Sequence, residues 1–154
     1  MSAALHPPFL KYVSTRNISG VEPGMILIVD DDLELCASLE RLFRYVGYDV
    51  VAVQKPIEVL SLLSVRKPKA ILLDLNMPVM GGMTLLKAIR SDKSFAAVPI
   101  LIHTADFSES NELLAGQLGA QDYIIKGTVG WDALLERIDR AIVPEPRQFK
   151  ISRA

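Results

Sequence analysis

Five short apolar runs, each followed by a stretch of helical periodicity, constrain this chain more than any other feature of it. The runs are MILIV at 25–29, YDVVAV at 48–53, AILL at 70–73, PILIH at 99–103 and YII at 123–125. Runs this short and this continuously apolar suit strands that are covered on both faces. After the first, Leu35, Leu39, Leu42, Phe43 and Val46 recur at helical spacing until Gly47, where a helix would stop. Pro56 opens a second helical segment over 57–65, which Arg66, Lys67 and Pro68 close. Further helices are predicted over 83–90, over 109–118 with Gly119 as the stop, and over 132–142, where Leu134, Leu135, Ile138 and Ile142 share one face. Repeated strand and helix predict an α/β fold: a parallel, doubly wound sheet of five strands with helices on both faces and right-handed crossovers.

At 154 residues the chain has the size of one domain, placed over 25–142. An N-terminal extension over 1–24 ends in a Pro-Gly turn, and a Pro-broken polar tail occupies 143–154. That division leaves no room for a separate catalytic domain. Hydrophobic residues at 50% and charged ones at 23% suffice for a packed core. A net charge of −1 excludes the basic character of a domain that binds nucleic acid through charge. Cys36 stands alone, so neither a disulfide framework nor a Cys-x-x-Cys motif exists. No apolar run approaches the length of a membrane span and no export signal opens the chain, so a cytoplasmic location is expected.

Ligands of such a sheet bind beyond the carboxyl ends of its strands, so the residues that follow each strand carry the chemistry. Strand one is followed by Asp30, Asp31 and Asp32, strand three by Asp74, strand four by Thr104 and strand five by Lys126. With strand two at an edge, the other four ends converge. Carboxylates at close range either share protons or bind a hard cation, and Mg²⁺, which prefers oxygen ligands, is the expected one. Phosphoryl transfer fits the rest of the set: Lys126 and the Thr104 hydroxyl take phosphoryl oxygens while Asp74 attacks phosphorus.

The segments ILIVDDD, LLDLNMPVMGG, PILIHTAD and DYIIKG together resemble the signature blocks of the response-regulator receiver domain of two-component signalling. They span 25–142 in the right order, with Asp74 thirty residues before Thr104 and Thr104 twenty-two before Lys126. The resemblance implies the flavodoxin-like strand order 2-1-3-4-5 and a phosphorylation-switched module. It further implies Asp74 as phosphoacceptor, and Mg²⁺ held by Asp30, Asp31, the Asp74 side chain and the backbone carbonyl of Asn76. Thr104 becomes the switch hydroxyl, Tyr123 its paired aromatic, and Lys126 the phosphoryl contact. Implied partners are a histidine kinase or histidine phosphotransfer protein as donor and an unspecified downstream protein, with no direct role for nucleic acid or membrane. A monomer or weak dimer is expected, catalysing nothing beyond its own phosphorylation and dephosphorylation. By analogy Ala105 leaves the phosphoryl site open and Asp106 orients water.

Two positions depart from the family pattern. Gly127 follows Lys126 where a cis proline is usual, which leaves the placement of the lysine open. Gly81 stands where Asp or Asn is frequent. The aspartate triplet allows Asp30/Asp31 or Asp31/Asp32 as the metal pair, and the first is preferred because Asp32 can cap the helix that begins at Leu33. Two other functions compete. A constitutive binding module rests on Gly127 alone, and a haloacid-dehalogenase-type phosphatase rests on the Asp30-x-Asp32 pattern without that family's later acidic pair. The remaining candidates read as structural: His103 as a satisfied buried imidazole, Cys36 as core filler, Trp131 as core packing, and Met77, Met80 and Met83 as loop packing.

Overall fold

The structure, a computed structural model, describes residues 24–142. The tail over 143–154 and all but Gly24 of the extension lie outside the described residues. Strands β1 (Met25–Val29), β2 (Asp49–Val53), β3 (Ala70–Leu73), β4 (Ile100–Thr104) and β5 (Asp122–Ile125) form one parallel sheet in the order β2-β1-β3-β4-β5. Helices α1 (Leu33–Tyr45), α2 (Pro56–Leu63), α3 (Gly82–Ser91), α4 (Glu109–Gln117) and α5 (Trp131–Ile142) alternate with them, and a 3-10 turn, Lys93–Phe95, follows α3. The predicted fold class and strand order are the observed ones.

Strand alternation divides the core in two. Leu27, Val29, Ile71, Leu73, Ile100 and Ile102 face α2, α3 and Ala115 of α4, whereas Ile26, Ile28, Leu72, Leu101 and Ile124 face α1 and α5. Every residue of β1 and β3 is buried, which explains runs with no polar alternation. Helix stops follow the expected chemistry. Gly47, at φ +98°, closes α1 as Tyr48 N donates to the Phe43 carbonyl at 2.9 Å and Gly47 N to that of Arg44 at 3.0 Å. That closure places Tyr48 outside β2, where its ring meets Phe43 edge-on at 6.2 Å and its hydroxyl donates to Asp139 at 2.7 Å. Arg90 of α3 ties the adjoining loops together, donating to the carbonyls of Phe95, Val98 and Gly119 and to Gln121 Oε1 at 2.7–3.0 Å.

Two expectations need correction. Trp131 is 43% exposed at the start of α5 and is not a core residue, because Leu134, Leu135 and Ile138 already fill the inward face of that helix. His103 is buried as expected, yet it is not satisfied: its Nδ1 has no hydrogen-bond partner among the described residues. Burial, reinforced by the Lys126 ammonium and opposed by Asp74, holds its pKa down at about 4 against an ordinary 6.5.

Two predictions arise here. Because the unfolded imidazole takes up its proton at a higher pH than the folded one, the His103 contribution is complete above pH 6.5 and is lost as pH falls toward 4. Roughly 3 kcal/mol disappears over that interval. Urea unfolding at several pH values should show this fall in the parent and not in His103→Leu; equal slopes would refute it. Val79 is a fully exposed β-branched residue at φ +75°, a region that L residues with branched side chains avoid. Val79→Asn should raise stability by about 1 kcal/mol, seen as a higher urea midpoint at unchanged slope.

Candidate functional site

The strand order reverses between β1 and β3, and the chain places a carboxylate at the end of each. Val29 and Leu73 are register partners, Asp74 N donates to the Val29 carbonyl at 2.9 Å, and Asp30 N donates to that of Val53 at 3.1 Å. Asp30 and Asp74 are consequently only 1% and 3% exposed, while Asp31 points outward. One carboxylate oxygen from each of Asp30, Asp31 and Asp74 lies within 4.8 Å of the others. Three oxygen donors this close, two of them buried, suit a small hard cation.

Lys126 balances that charge. Its Nζ is 2.7 Å from Asp30 Oδ2 and 3.2 Å from Asp74 Oδ2. Burial pushes the Asp30 carboxyl above the usual carboxylate range, the neighbouring Asp74 charge adding to this and Lys126 and the Asp32 N–H opposing it. Lys126 is raised: burial acts downward, and the two carboxylates outweigh it. The ammonium therefore stays charged.

The departure at Gly127 is resolved by turn geometry. The Lys126–Gly127 peptide is trans, Gly127 has φ +79°, and Thr128 N donates to the Ile125 carbonyl at 3.2 Å. Such a turn needs a positive φ at its third residue, which glycine supplies without strain. With Lys126 N also donating to the Thr104 carbonyl at 2.8 Å, the lysine reaches both aspartates without a proline after it.

Thr104 ends β4, fully buried, and its hydroxyl accepts from Asn76 Nδ2 at 3.4 Å and from Asp106 N at 3.3 Å. Both contacts are accepted ones, so the hydroxyl proton remains available for an acceptor at the centre. Asn76 N in turn donates to Asp74 Oδ1 at 3.2 Å. Half-buried Tyr123 donates its hydroxyl to the Asp106 carbonyl at 2.8 Å, linking it to Thr104 through one residue. Asp106 does not present a free carboxylate: Oδ1 accepts from Ser108 N at 2.8 Å and Oδ2 from Asn111 Nδ2 at 2.6 Å. The water-orienting role expected of it is not supported, because α4's first turn occupies the side chain.

Asp32 stands apart from the centre. Its Oδ1 accepts from Leu35 N at 3.1 Å as the N-cap of α1, which removes the Asp-x-Asp phosphatase reading. Sequence reasoning missed Gly82. A Cβ there would lie 2.1 Å from the Asp74 carbonyl oxygen and 2.7 Å from Leu75 Cα, so α3 can start beside the phosphoacceptor strand only on a glycine. The Gly81-Gly82 pair was the available signal. The widest groove, about 830 Å³ and lined by Leu63, Arg66, Ile89 and Phe95, opens at the C-terminal turns of α2 and α3, the opposite end of the sheet from Asp74. Gly82→Ala should therefore lower stability by about 2 kcal/mol or more, read from urea midpoints; an unchanged midpoint would contradict the close approach.

The family model for the response regulator receiver domain matches residues 26–139. Among curated proteins, the chain is similar to the transcriptional regulatory protein PrrA of Mycobacterium bovis, 35% identical over 108 residues covering 70% of this chain and 46% of that protein. It is also similar to the response regulator MprA of Mycobacterium sp. (strain KMS), 36% identical over 104 residues, 68% of this chain and 44% of that protein. The chain thus spans less than half the length of these relatives. Among solved structures, a putative response regulator from Chloroflexus aurantiacus superposes with a TM-score of 0.73 at 31% identity, covering 78% of this chain and 98% of that one. The BeF3-activated receiver domain of Klebsiella pneumoniae RstA gives 0.71 at 30% identity, covering 77% and 97%.

Proposed function

The chain belongs to the response regulator receiver family, a signalling family, and on that premise we propose that Asp74 accepts a phosphoryl group from a phosphohistidine. The receiver unit is taken as 25–142, with 1–24 and 143–154 as extensions to it. The observation that carries the reading is the bridge from Lys126 Nζ to both Asp30 and Asp74. It keeps a buried carboxylate beside a fixed positive charge, with the Thr104 hydroxyl tied to the same site through Asn76.

The cation this all-oxygen donor set suits is Mg²⁺, held by Asp30, Asp31, Asp74 and the backbone carbonyl of Asn76. When bound, it supplies charge neutralisation for the phosphoryl oxygens. An Asp74 carboxylate oxygen forms the new bond to phosphorus as the nitrogen–phosphorus bond of the donor breaks, and the bond's electron pair returns to the imidazole. Lys126 and the Thr104 hydroxyl take phosphoryl oxygens. As Thr104 is drawn to the phosphoryl group, its contact with Asp106 N changes, and the Tyr123 bond to the Asp106 carbonyl passes that change to the start of α4. The partners on this reading are a histidine kinase or histidine phosphotransfer protein and a downstream protein that binds the altered surface. The chain catalyses only its own phosphorylation and dephosphorylation. No helix among the described residues is long and apolar enough to cross a membrane, and we place the module in the cytoplasm.

Intact-mass spectrometry after incubation with Mg²⁺ and acetyl phosphate tests the reading. One phosphoryl adduct is expected, absent without Mg²⁺ and absent in Asp74→Asn. Lys126→Ala should cut the rate of adduct formation by roughly a hundredfold, an electrostatic contact on the transferring group being worth about 3 kcal/mol. Absence of any adduct in the parent with Mg²⁺ present would overturn the proposal.

A further inference from the structure

Helix α4 is amphipathic in the wrong sense for a core helix. It buries Ala115 alone, while Leu113 and Leu114 are 65% and 41% exposed. Glu109, Glu112, Leu113, Gly116 and Gln117 fall on one stripe along the helix and line a shallow open notch of about 530 Å³. Gly116 forms the notch: nothing lies within 4 Å of the place a Cβ would take. A glycine inside a helix costs about 1 kcal/mol relative to alanine, and neither backbone conformation nor internal packing requires this one. Among the described residues, neither Glu109 nor Glu112 forms a salt bridge.

We propose that this stripe of α4 is a docking surface for an amphipathic helical segment of a partner protein, one that seats a large apolar side chain in the Gly116 notch beside Leu113 and pairs flanking Lys or Arg residues with Glu109 and Glu112. Helix-on-helix docking of this kind takes its affinity from the apolar anchor and its selectivity from the charges. A second copy of this chain is the poorer occupant. The sequence of α4, ESNELLAGQ, holds no cation, so two copies packed α4 to α4 would set glutamate against glutamate. The surface is present in the chain as described and stands whether or not Asp74 accepts a phosphoryl group. Its tie to the acidic centre is the hydrogen bonding of Asp106 to Asn111 and Ser108.

Amide NMR titration of the full-length chain with a short helical Leu/Lys peptide, and with the same peptide carrying Glu for Lys, provides the test. The Leu/Lys peptide should shift the amides of Glu109, Leu113, Gly116 and Gln117, equally in the parent and in Asp74→Asn, and the Leu/Glu peptide should shift none. Gly116→Leu, which fills the notch with a better helix former, and the pair Glu109→Gln with Glu112→Gln should each weaken binding roughly tenfold. Shifts centred on Asp30 and Asp31, equal binding of both peptides, or undiminished binding by Gly116→Leu would overturn the proposal. Shifts of the same amides on concentrating the chain without peptide would overturn it in favour of a homodimer. A missing phosphoryl adduct at Asp74 would leave these outcomes unaffected, so failure of one reading is distinguishable from failure of the other.

Discussion

Two carboxylates buried next to each other, Asp30 and Asp74, set the terms for the rest of this structure. Removing one ionised carboxylate from water is costly, and a second beside it adds repulsion. Both sit at the switch point of the sheet because β1 and β3 are register neighbours, and neither can retreat to solvent without unpairing a central strand. A cation is obligatory. Without a metal ion that role falls to Lys126, and the turn around Gly127, the end of β5 and the bond from Lys126 N to Thr104 all serve to deliver its ammonium.

This arrangement also explains how a local charge event reaches the surface. Thr104, Asn76 and Asp106 form a short chain of hydrogen bonds leading away from Asp74, and Tyr123 closes it from β5. The chain ends on α4, the helix with the least invested in the core. A helix anchored by one buried alanine and a few capping bonds shifts at lower cost than α1 or α5, whose leucines are locked between neighbours. Response to phosphorylation and exposure of apolar side chains thus fall on the same element for one reason, its light packing.

Much of the fold was legible because β1 and β3 are buried on both faces and their sequences carry no polar interruption. The helix stop at Gly47 was equally plain, since positive φ is a local demand that a glycine announces. Asp32 was assigned correctly as a cap because capping is also local. Four readings turned on neighbours distant in the chain. Trp131 looked like core, and only the packing of Leu134 and Leu135 showed the inward face already full. His103 looked satisfied, although an imidazole's partner can only be seen in three dimensions. Asp106 looked available for water until Asn111 was found to hold it. Gly82 attracted no notice because its constraint is the Asp74 carbonyl eight residues earlier.

By itself the sequence determined the order of strands and helices, the residues that end each strand, and hence which chemical groups could meet, because hydrophobic periodicity and turn chemistry act over a few residues. Tertiary structure alone decided which of them do meet. Asp30 joins Asp74 and Asp32 does not, Lys126 bridges the pair across a glycine turn, and the leucines of α4 are left in water. Those outcomes depend on the register of β1 against β3 and on which helix face the sheet has room to cover, and both are properties of the assembled chain.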